Sequence, residues 1–280
     1  MRSYRTPWSR HLPEGGWAAQ SVLLTGASGG IGEALVDELA GAGARLLITG
    51  RRQGALAALA ARHPGRVTVM AADLTRAEER QRLVAAAFEA RCTMLINAAG
   101  VNRMGLFESC SDDEIEALIT LNLTSTLQLT RALLPQLLAA ESGWVVNLGS
   151  TFGTIGYPGQ AGYCATKFAL RGFTQALRRE LADTRVHVLH VAPRATRTAM
   201  NAPEIEAMNR ALGNAMDSPQ RVARLVRRAI EAGREESQLG GPERLFARLN
   251  AMLPGVVDRA LRRQLPTIRR FIGKPRGEMP

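Results

Sequence analysis

The chain has 280 residues, 46% of them apolar and 22% charged, with a formal net charge of +11. That length and apolar share fit one folded domain with or without appendages, and three scattered cysteines (Cys92, Cys110, Cys164) form neither a disulfide framework nor a metal-ligand spacing, which points to a reducing, cytoplasmic setting. No run of about 18 apolar residues occurs, so no membrane span is expected, and 14 Lys/Arg against 6 Asp/Glu in residues 219–280 account for +8 of the charge, leaving a nearly neutral body without a nucleic-acid face.

Residues 1–18 read as an irregular arm rich in Arg, Pro and Gly, lacking the apolar stretch of a signal peptide. Residues 21–25 follow as a buried strand, then Gly26-Ala27-Ser28-Gly29-Gly30-Ile31-Gly32 as a turn, then a helix over 33–42. Strand, Gly-rich turn and helix together are the setting in which backbone N–H groups and a helix N-terminus hold a diphosphate. The strict G-x-G-x-x-G is absent, as is the G-K-[ST] of a P-loop, and a tight βα turn without a ligand is the alternative. A second strand over 44–49 closes on Gly50-Arg51-Arg52. At that strand end an acid holds the ribose 2′-OH of NAD, whereas an Arg accommodates the 2′-phosphate of NADP. Gly50 leaves no acid; Arg51 and Arg52 are either that phosphate site or two solvated cations.

The alternation continues with a helix over 53–62, a strand over 67–70 ending near Asp73, a helix over 75–90 and a strand over 94–96 ending in Asn97-Ala98-Ala99-Gly100. Ser111 with Glu114 three residues on makes a capping box for a long helix expected to run to residue 139. Asn122 sits inside that helix, where Asn is mildly unfavourable, so it is either functional or simply exposed. His187 and His190 lie three apart in a strand over 185–191, face opposite sides, and do not make a metal site.

Residues 147–167, NLGSTFGTIGYPGQAGYCATK, carry the chemistry. An apolar strand ends in Gly149-Ser150, a Gly-rich loop follows, and a helix begins near Ala161. Tyr163 and Lys167 are four apart and share one helix face, about 5–6 Å apart at Cβ. An ammonium beside a phenol favours the phenolate, so the Tyr163 pKa is expected to fall towards neutrality. Ser150 is placed to hydrogen-bond a carbonyl or alcohol oxygen while Tyr163 exchanges its proton. A Tyr-x-x-x-Lys pair also arises by chance on amphipathic helices. Here, however, Lys167 is one of two lysines among 36 basic residues, the other being Lys274, and Lys offers a compact, adjustable ammonium that Arg does not.

Seven β–α alternations with short loops require a parallel sheet covered on both faces. The fold class is therefore α/β, a Rossmann-type doubly wound sheet with a C-terminal basic helical tail. The domains expected are the arm 1–18, a catalytic domain 19–241 and the tail 242–280. Over residues 20–235 the sequence resembles the short-chain dehydrogenase/reductases, in their single-domain branch. The resemblance rests on Thr25-Gly26-x-x-x-Gly30-Ile31-Gly32, Asp73, Asn97-Ala98-Ala99-Gly100, Asn122, Ser150, Tyr163-x-x-x-Lys167 and residues 193–198.

The resemblance implies an NADP(H)-dependent carbonyl reductase or alcohol dehydrogenase, with NAD(H) the lesser choice; a lipophilic substrate, 3-oxoacyl or sterol-like, would suit membrane attachment through the basic tail. Tyr163 would be the acid/base and Ser150 would orient the substrate oxygen. Lys167 would bind the nicotinamide ribose and lower the Tyr163 pKa, and Asn122 would hold a water linking Lys167 to solvent. Gly26, Ser28 and Ile31, with Gly30 and Gly32, would line the diphosphate; Asp73 and Leu74 the adenine; Asn97, Ala98 and Gly100 the ribose side; Pro193, Thr196 and Thr198 the carboxamide side; Arg51 and Arg52 the 2′-phosphate. A homo-oligomer, dimer or tetramer, is implied as well. Three departures stand out. Asn-Asn-Ala-Gly reads Asn97-Ala98-Ala99-Gly100, Arg194 replaces the usual Gly after Pro193, and the family's C-terminal strand and Asp-Gly-Gly ending give way to Gly240-Gly241-Pro242 and the tail. A non-catalytic NADP sensor is the rival of another class, although such a protein has no need of Asn122, Ser150, Tyr163 and Lys167 together. A DNA-associated protein is suggested by the tail alone.

Two stretches stay open. The segment over 199–217 is expected to cover the substrate, with Met200, Met208 and Met216 as adaptable apolar surface or as core. The tail carries apolar residues at helical spacing opposite Arg244, Arg248, Arg259, Arg262 and Arg263. It either packs on the body or a second subunit, or attaches peripherally to an anionic membrane.

Overall fold

The computed structural model describes residues 12–200 and 203–272; most of the expected arm (1–11), and Lys274 with the end of the tail, lie outside the described residues. In chain order the elements begin with β1 (Ser21–Leu24), α1 (Gly30–Gly41), β2 (Arg45–Ile48), α2 (Gln53–Arg62), β3 (Val67–Val69), α3 (Ala77–Glu89) and β4 (Met94–Asn97). They continue with α4 (Asp112–Ile119), α5 (Ser125–Ala139), β5 (Gly143–Leu148), α6 (Ala161–Glu180), β6 (Val186–Ala192), α7 (Pro203–Ala211), α8 (Pro219–Glu231), β7 (Glu236–Gln238), α9 (Gly241–Met252) and α10 (Pro254–Ile272). The strands form one parallel sheet in the order β3-β2-β1-β4-β5-β6-β7. The order reverses between β1 and β4, and that switch point is where such sheets bind ligands.

Strand side chains alternate between the two faces, and each face buries a core. Val22, Leu24, Ile96 and Val146 pack with Leu35 and Leu39 of α1 and Val222 and Val226 of α8. Leu23, Leu95, Val145 and Val188 pack with Leu83, Leu129, Leu133 and Leu177 of α3, α5 and α6. Near the chain start, Trp17 is buried and its indole N–H donates to Glu231 Oε1 at 2.9 Å, tying residues before β1 to α8.

Three local expectations change. The family's C-terminal strand, read as replaced by Gly240-Gly241-Pro242 and the tail, is present: Glu236–Gln238 pairs with His190, Val191 and Ala192 of β6. Three residues with polar side chains at a sheet edge give no hydrophobic run by which to recognise a strand. The long helix to residue 139 is broken by a π-helical turn over Thr120–Thr124, which separates α4 from α5. The first helix starts at Gly30 rather than Glu33, so half of the Gly-rich stretch is its first turn.

His190 is fully buried in β6, and neither ring nitrogen has a hydrogen-bond partner. A Cβ on Gly149 would meet its Nε2 at 2.1 Å, so the strand end before Ser150 must be glycine. Burial pushes the imidazole down from 6.5 to about 4. The unfolded chain therefore binds a proton that the folded one refuses, and stability falls as pH drops from 6.5 towards about 4. We expect His190→Leu to remove up to about 3 kcal/mol of that acid sensitivity. Thermal unfolding of both proteins at neutral and mildly acidic pH checks this; parallel curves would refute it.

Candidate active site

The glycine turn is a closed cradle for backbone. Gly26 has φ +69°, and a Cβ there would meet Ala99 backbone at 2.7 Å; one on Gly30 would meet Thr198 Cγ2 at 2.7 Å, and one on Gly32 the Gly26 carbonyl oxygen at 2.1 Å. Gly29 caps α1 without a side chain, so the first-turn N–H groups have no side-chain acceptor. Free donors at a helix start, with no Cβ above them, fit the diphosphate of a dinucleotide. The Thr25 hydroxyl accepts the Ala98 and Ala99 N–H groups, both at 3.1 Å, and locks the 97–100 turn to the cradle. Sequence reasoning took Thr25 only as part of the motif.

The β2 end lies beside this cradle. A Cβ on Gly50 would meet Ser28 Oγ at 2.9 Å, and Arg52 donates to the Ser28 carbonyl. Arg51 is exposed, with no hydrogen bond or ion pair among the described residues. Its charge instead acts on Asp73. Partial burial pushes that carboxyl up, but the Thr75 N–H and hydroxyl, at 2.9 and 2.8 Å, with Arg51 and Arg76, hold it below the usual carboxylate range. The Leu74 side chain is core and its carbonyl accepts from Arg80, so that side chain does not face a ligand.

Asn97 is also turned inward. Its Nδ2 donates to Asn147 Oδ1 at 2.9 Å and Thr130 Oγ1 at 3.2 Å, and Asn147 donates on to Thr174. This buried chain stitches α5, β4, β5 and α6 together, so the Asn97 side chain works for the fold and only its backbone is left to face the ribose side. Asn122 is 1% exposed, which removes the exposed alternative. Its Oδ1 accepts the Val101 N–H at 2.8 Å, and its Nδ2 donates to the Val101 carbonyl at 2.9 Å and to Thr166 Oγ1 at 3.2 Å. The side chain thus pairs with backbone as a strand would, at the π-helical turn. A Cβ on Gly100 would lie 3.2 Å from Asn122 Oδ1 and 3.8 Å from Lys167 Nζ, so these three positions meet.

Ser150 ends the β5 segment, its Oγ accepting the Phe152 N–H at 3.1 Å. Lys167 is buried, its Nζ 5.6 Å from the Tyr163 ring centroid and donating to the Leu148 carbonyl at 2.9 Å. The expected lowering of the Tyr163 pKa is not found. Burial pushes the phenol up to about 12, against a smaller downward pull from Ser150. The same burial depresses Lys167 to about 8. The ammonium is spent on a carbonyl beneath the ring, and removal from water outweighs its field at the hydroxyl.

Ser150 and Tyr163 open into a cavity of about 390 Å³ that Ile31, Pro193, Thr196 and Thr198 also line. Its walls are mainly apolar: Met104, Phe152, Ile155, Met200, Met208, Phe246 and Leu261 among them. Met216 is not among the lining residues. The segment over 199–217 contributes α7, whose Met208 is 2% exposed. Sequence reasoning did not foresee that α9 and α10 also wall this cavity, through Phe246, Leu261 and Gln264. Arg194 fastens them. Its guanidinium grips Asp217 with two bonds of 2.9 Å and reaches Glu243 at 3.3 Å. The arginine in place of glycine thus carries no free charge to the cavity; it latches the α7–α8 connection and α9 to the β6 end. Among the described residues no group of three His, Cys, Asp or Glu side chains is placed to hold a metal.

A short chain dehydrogenase family model matches residues 20–209. Nodulation protein G of Rhizobium sp. (strain N33) is 37% identical over 183 residues, 65% of this chain and 75% of that protein. A 3-oxoacyl-[acyl-carrier-protein] reductase of Rickettsia bellii is 31% identical over 229 residues, 80% of this chain and 93% of that one. A short-chain dehydrogenase of Streptomyces avermitilis superimposes with a TM-score of 0.75 at 31% identity, covering 86% of this chain and 95% of that one. Fold, glycine cradle and the Ser150–Tyr163–Lys167 cluster agree with these similarities, and the chain belongs to the short-chain dehydrogenase/reductase family of oxidoreductases.

Proposed function

We propose that the protein is an NADP(H)-dependent reductase of an apolar ketone or aldehyde, or the dehydrogenase of the matching secondary alcohol. One observation carries the reading: Ser150 and Tyr163 line the same cavity as Ile31 and Thr198 of the glycine cradle. The nicotinamide cofactor, when bound, supplies the hydride. The chain's own residues do the rest. Ser150 holds the substrate oxygen, and Tyr163 gives that oxygen its proton. Lys167 and the Gly26, Ser28, Gly30, Ile31 and Gly32 backbone hold the cofactor, with Thr196 and Thr198 on the carboxamide side and Asp73 on the adenine side. Burial raises the Tyr163 pKa, so the phenol carries the proton it would give to the substrate oxygen.

The cavity's methionine, phenylalanine and aliphatic walls favour a carbonyl on an acyl chain or a fused-ring skeleton over a sugar, and four similar proteins bear the name 3-oxoacyl-[acyl-carrier-protein] reductase. The three cysteines are free thiols, in keeping with a cytoplasmic setting, and assembly as a dimer or tetramer is part of the same reading.

Arg51, exposed beside the cradle, selects the 2′-phosphate. Arg51→Ala is expected to weaken NADPH binding by about tenfold to a hundredfold, since a hydrogen bond to a charged group is worth about 1.5–3 kcal/mol, and to leave NADH binding unchanged. Fluorescence titration with both cofactors decides the point; equal affinities in the unaltered protein would remove the NADP assignment. Turnover of a panel of 3-oxoacyl thioesters and cyclic ketones with NADPH tests the whole reading. Tight cofactor binding with no turnover on any of them would favour the non-catalytic sensor.

A further inference from the structure

The outward sides of α9 and α10 carry a surface that catalysis leaves unused. α10 turns Val257, Leu261 and Ile268 into the protein, each 8% exposed or less. Its opposite side presents Val256, Arg259, Arg263 and Arg270, at successive spacings of three, four and seven residues, which place them on one stripe. On α9, Leu245, Arg248 and Met252 repeat the arrangement. Leu245 and Met252 are 69% and 79% exposed, and Leu253 and Val256, where the two helices join, are 54% and 48% exposed. Residues 241–272 hold seven arginines and two acids. One acid, Glu243, is taken by Arg194, and none of the seven arginines has an ion pair among the described residues. The apolar stripe visible in the sequence is thus divided: half packs on the body, and half stands in water among unpaired cations.

We infer that the α9–α10 corner docks on an anionic lipid surface, with Met252, Leu253 and Val256 entering the headgroup–acyl boundary and the flanking arginines meeting lipid phosphates. Apolar side chains at a tip with cations behind them match an interface that is apolar inside and anionic at its rim. A nucleic acid would engage the arginines and leave Met252 and Leu253 in water. The same two helices wall the cavity through Phe246 and Leu261, so docking would bring the cavity close to the bilayer. That consequence rests on the proposed apolar substrate; the docking does not.

The test is co-sedimentation of the full chain with phosphatidylglycerol vesicles and with phosphatidylcholine vesicles. Pelleting with the first and not the second is expected, weakening as salt is raised, because each arginine near such a surface adds about fivefold. Met252→Glu with Leu253→Glu should cut pelleting at least tenfold, and so should Arg259→Glu with Arg263→Glu; all four residues are exposed, so both pairs should fold. Protein left in the supernatant with both vesicle types would overturn the inference, as would pelleting that neither pair alters. A doubled solution mass that Met252→Glu with Leu253→Glu returns to one chain, without vesicle binding, would overturn it in favour of a second copy on this corner. Turnover of a water-soluble ketone, measured in parallel and unchanged in both pairs, separates a failure of docking from a failure of the catalytic reading.

Discussion

Tyr163→Phe is expected to lower turnover by about 10²–10⁴-fold, the range of a lost general acid, while leaving cofactor affinity within about twofold of the unaltered protein. The substitution deletes one oxygen. The ring, which packs under Lys167 and lines the cavity, is kept, so neither the cavity shape nor the α6 packing changes. What is lost is the proton, and no neighbour replaces it. Ser150 shares the cavity and hydrogen-bonds with Tyr163, but a serine is a far weaker acid than a phenol. Lys167 is turned to the Leu148 carbonyl. Ser150→Ala should therefore cost less than Tyr163→Phe, because a lost orienting hydrogen bond is worth about 0.5–1.5 kcal/mol. The check is kcat and KM on one confirmed ketone together with NADPH titration. Near-normal kcat in Tyr163→Phe would overturn the assignment of the acid.

The alternation of strand and helix was legible because buried parallel strands are short apolar runs and the helices between them are amphipathic. The cradle was legible because Gly26, Gly30 and Gly32 answer a requirement that no other residue meets: contacts of 2.1–2.7 Å for any added Cβ. Positions defined by long-range contact were not. Asn122 was singled out as odd for a helix, but nothing local showed that its amide would pair with Val101, 21 residues away. Asn97 belongs to a motif expected at the cofactor, yet its side chain works for the fold, since motif membership does not say which way a side chain turns. The pKa of Tyr163 was misjudged for a related reason. Charge spacing is written in sequence, whereas desolvation depends on everything packed around a group. Arg194 read only as a departure from the usual Gly; Asp217 and Glu243, which pair with it, lie 23 and 49 residues on.

Lys167→Met is expected to abolish most turnover and to make the protein more stable. The ammonium is buried against a single backbone carbonyl, with no carboxylate beside it, and burial depresses its pKa from 10.5 to about 8. A base whose folded pKa lies below its unfolded one binds fewer protons when folded. Stability therefore rises with pH between about 8 and 10.5 and is at its lowest, for this group, at and below pH 8. Holding the charge at neutral pH costs about 2–3 kcal/mol. Met has nearly the same shape and no charge, so Lys167→Met should raise Tm by roughly 5 °C, less whatever the lost bond to Leu148 contributed. Tyr163 titrates the opposite way. Its folded pKa is raised, so it lowers stability only above pH 10, while burial raises the Cys92 thiol from 9.0 to about 11 and the Cys164 thiol above 9.0, which lowers stability above pH 9; the interval from about 8 to 9 therefore reports on Lys167. In that interval the unaltered protein should gain stability with pH and Lys167→Met should stay flat. Turnover should fall by about 10²-fold or more, because the residue proposed to hold the nicotinamide ribose, whose charge lies over the Tyr163 ring, is gone. Lys167→Arg should be severe as well: a planar guanidinium does not fit the space of a compact ammonium between Leu148 and the Tyr163 ring. Calorimetry across pH 7–10 alongside kcat decides it. A Tm that drops in Lys167→Met would mean that the ammonium stabilises the fold, and that burial does not set its cost.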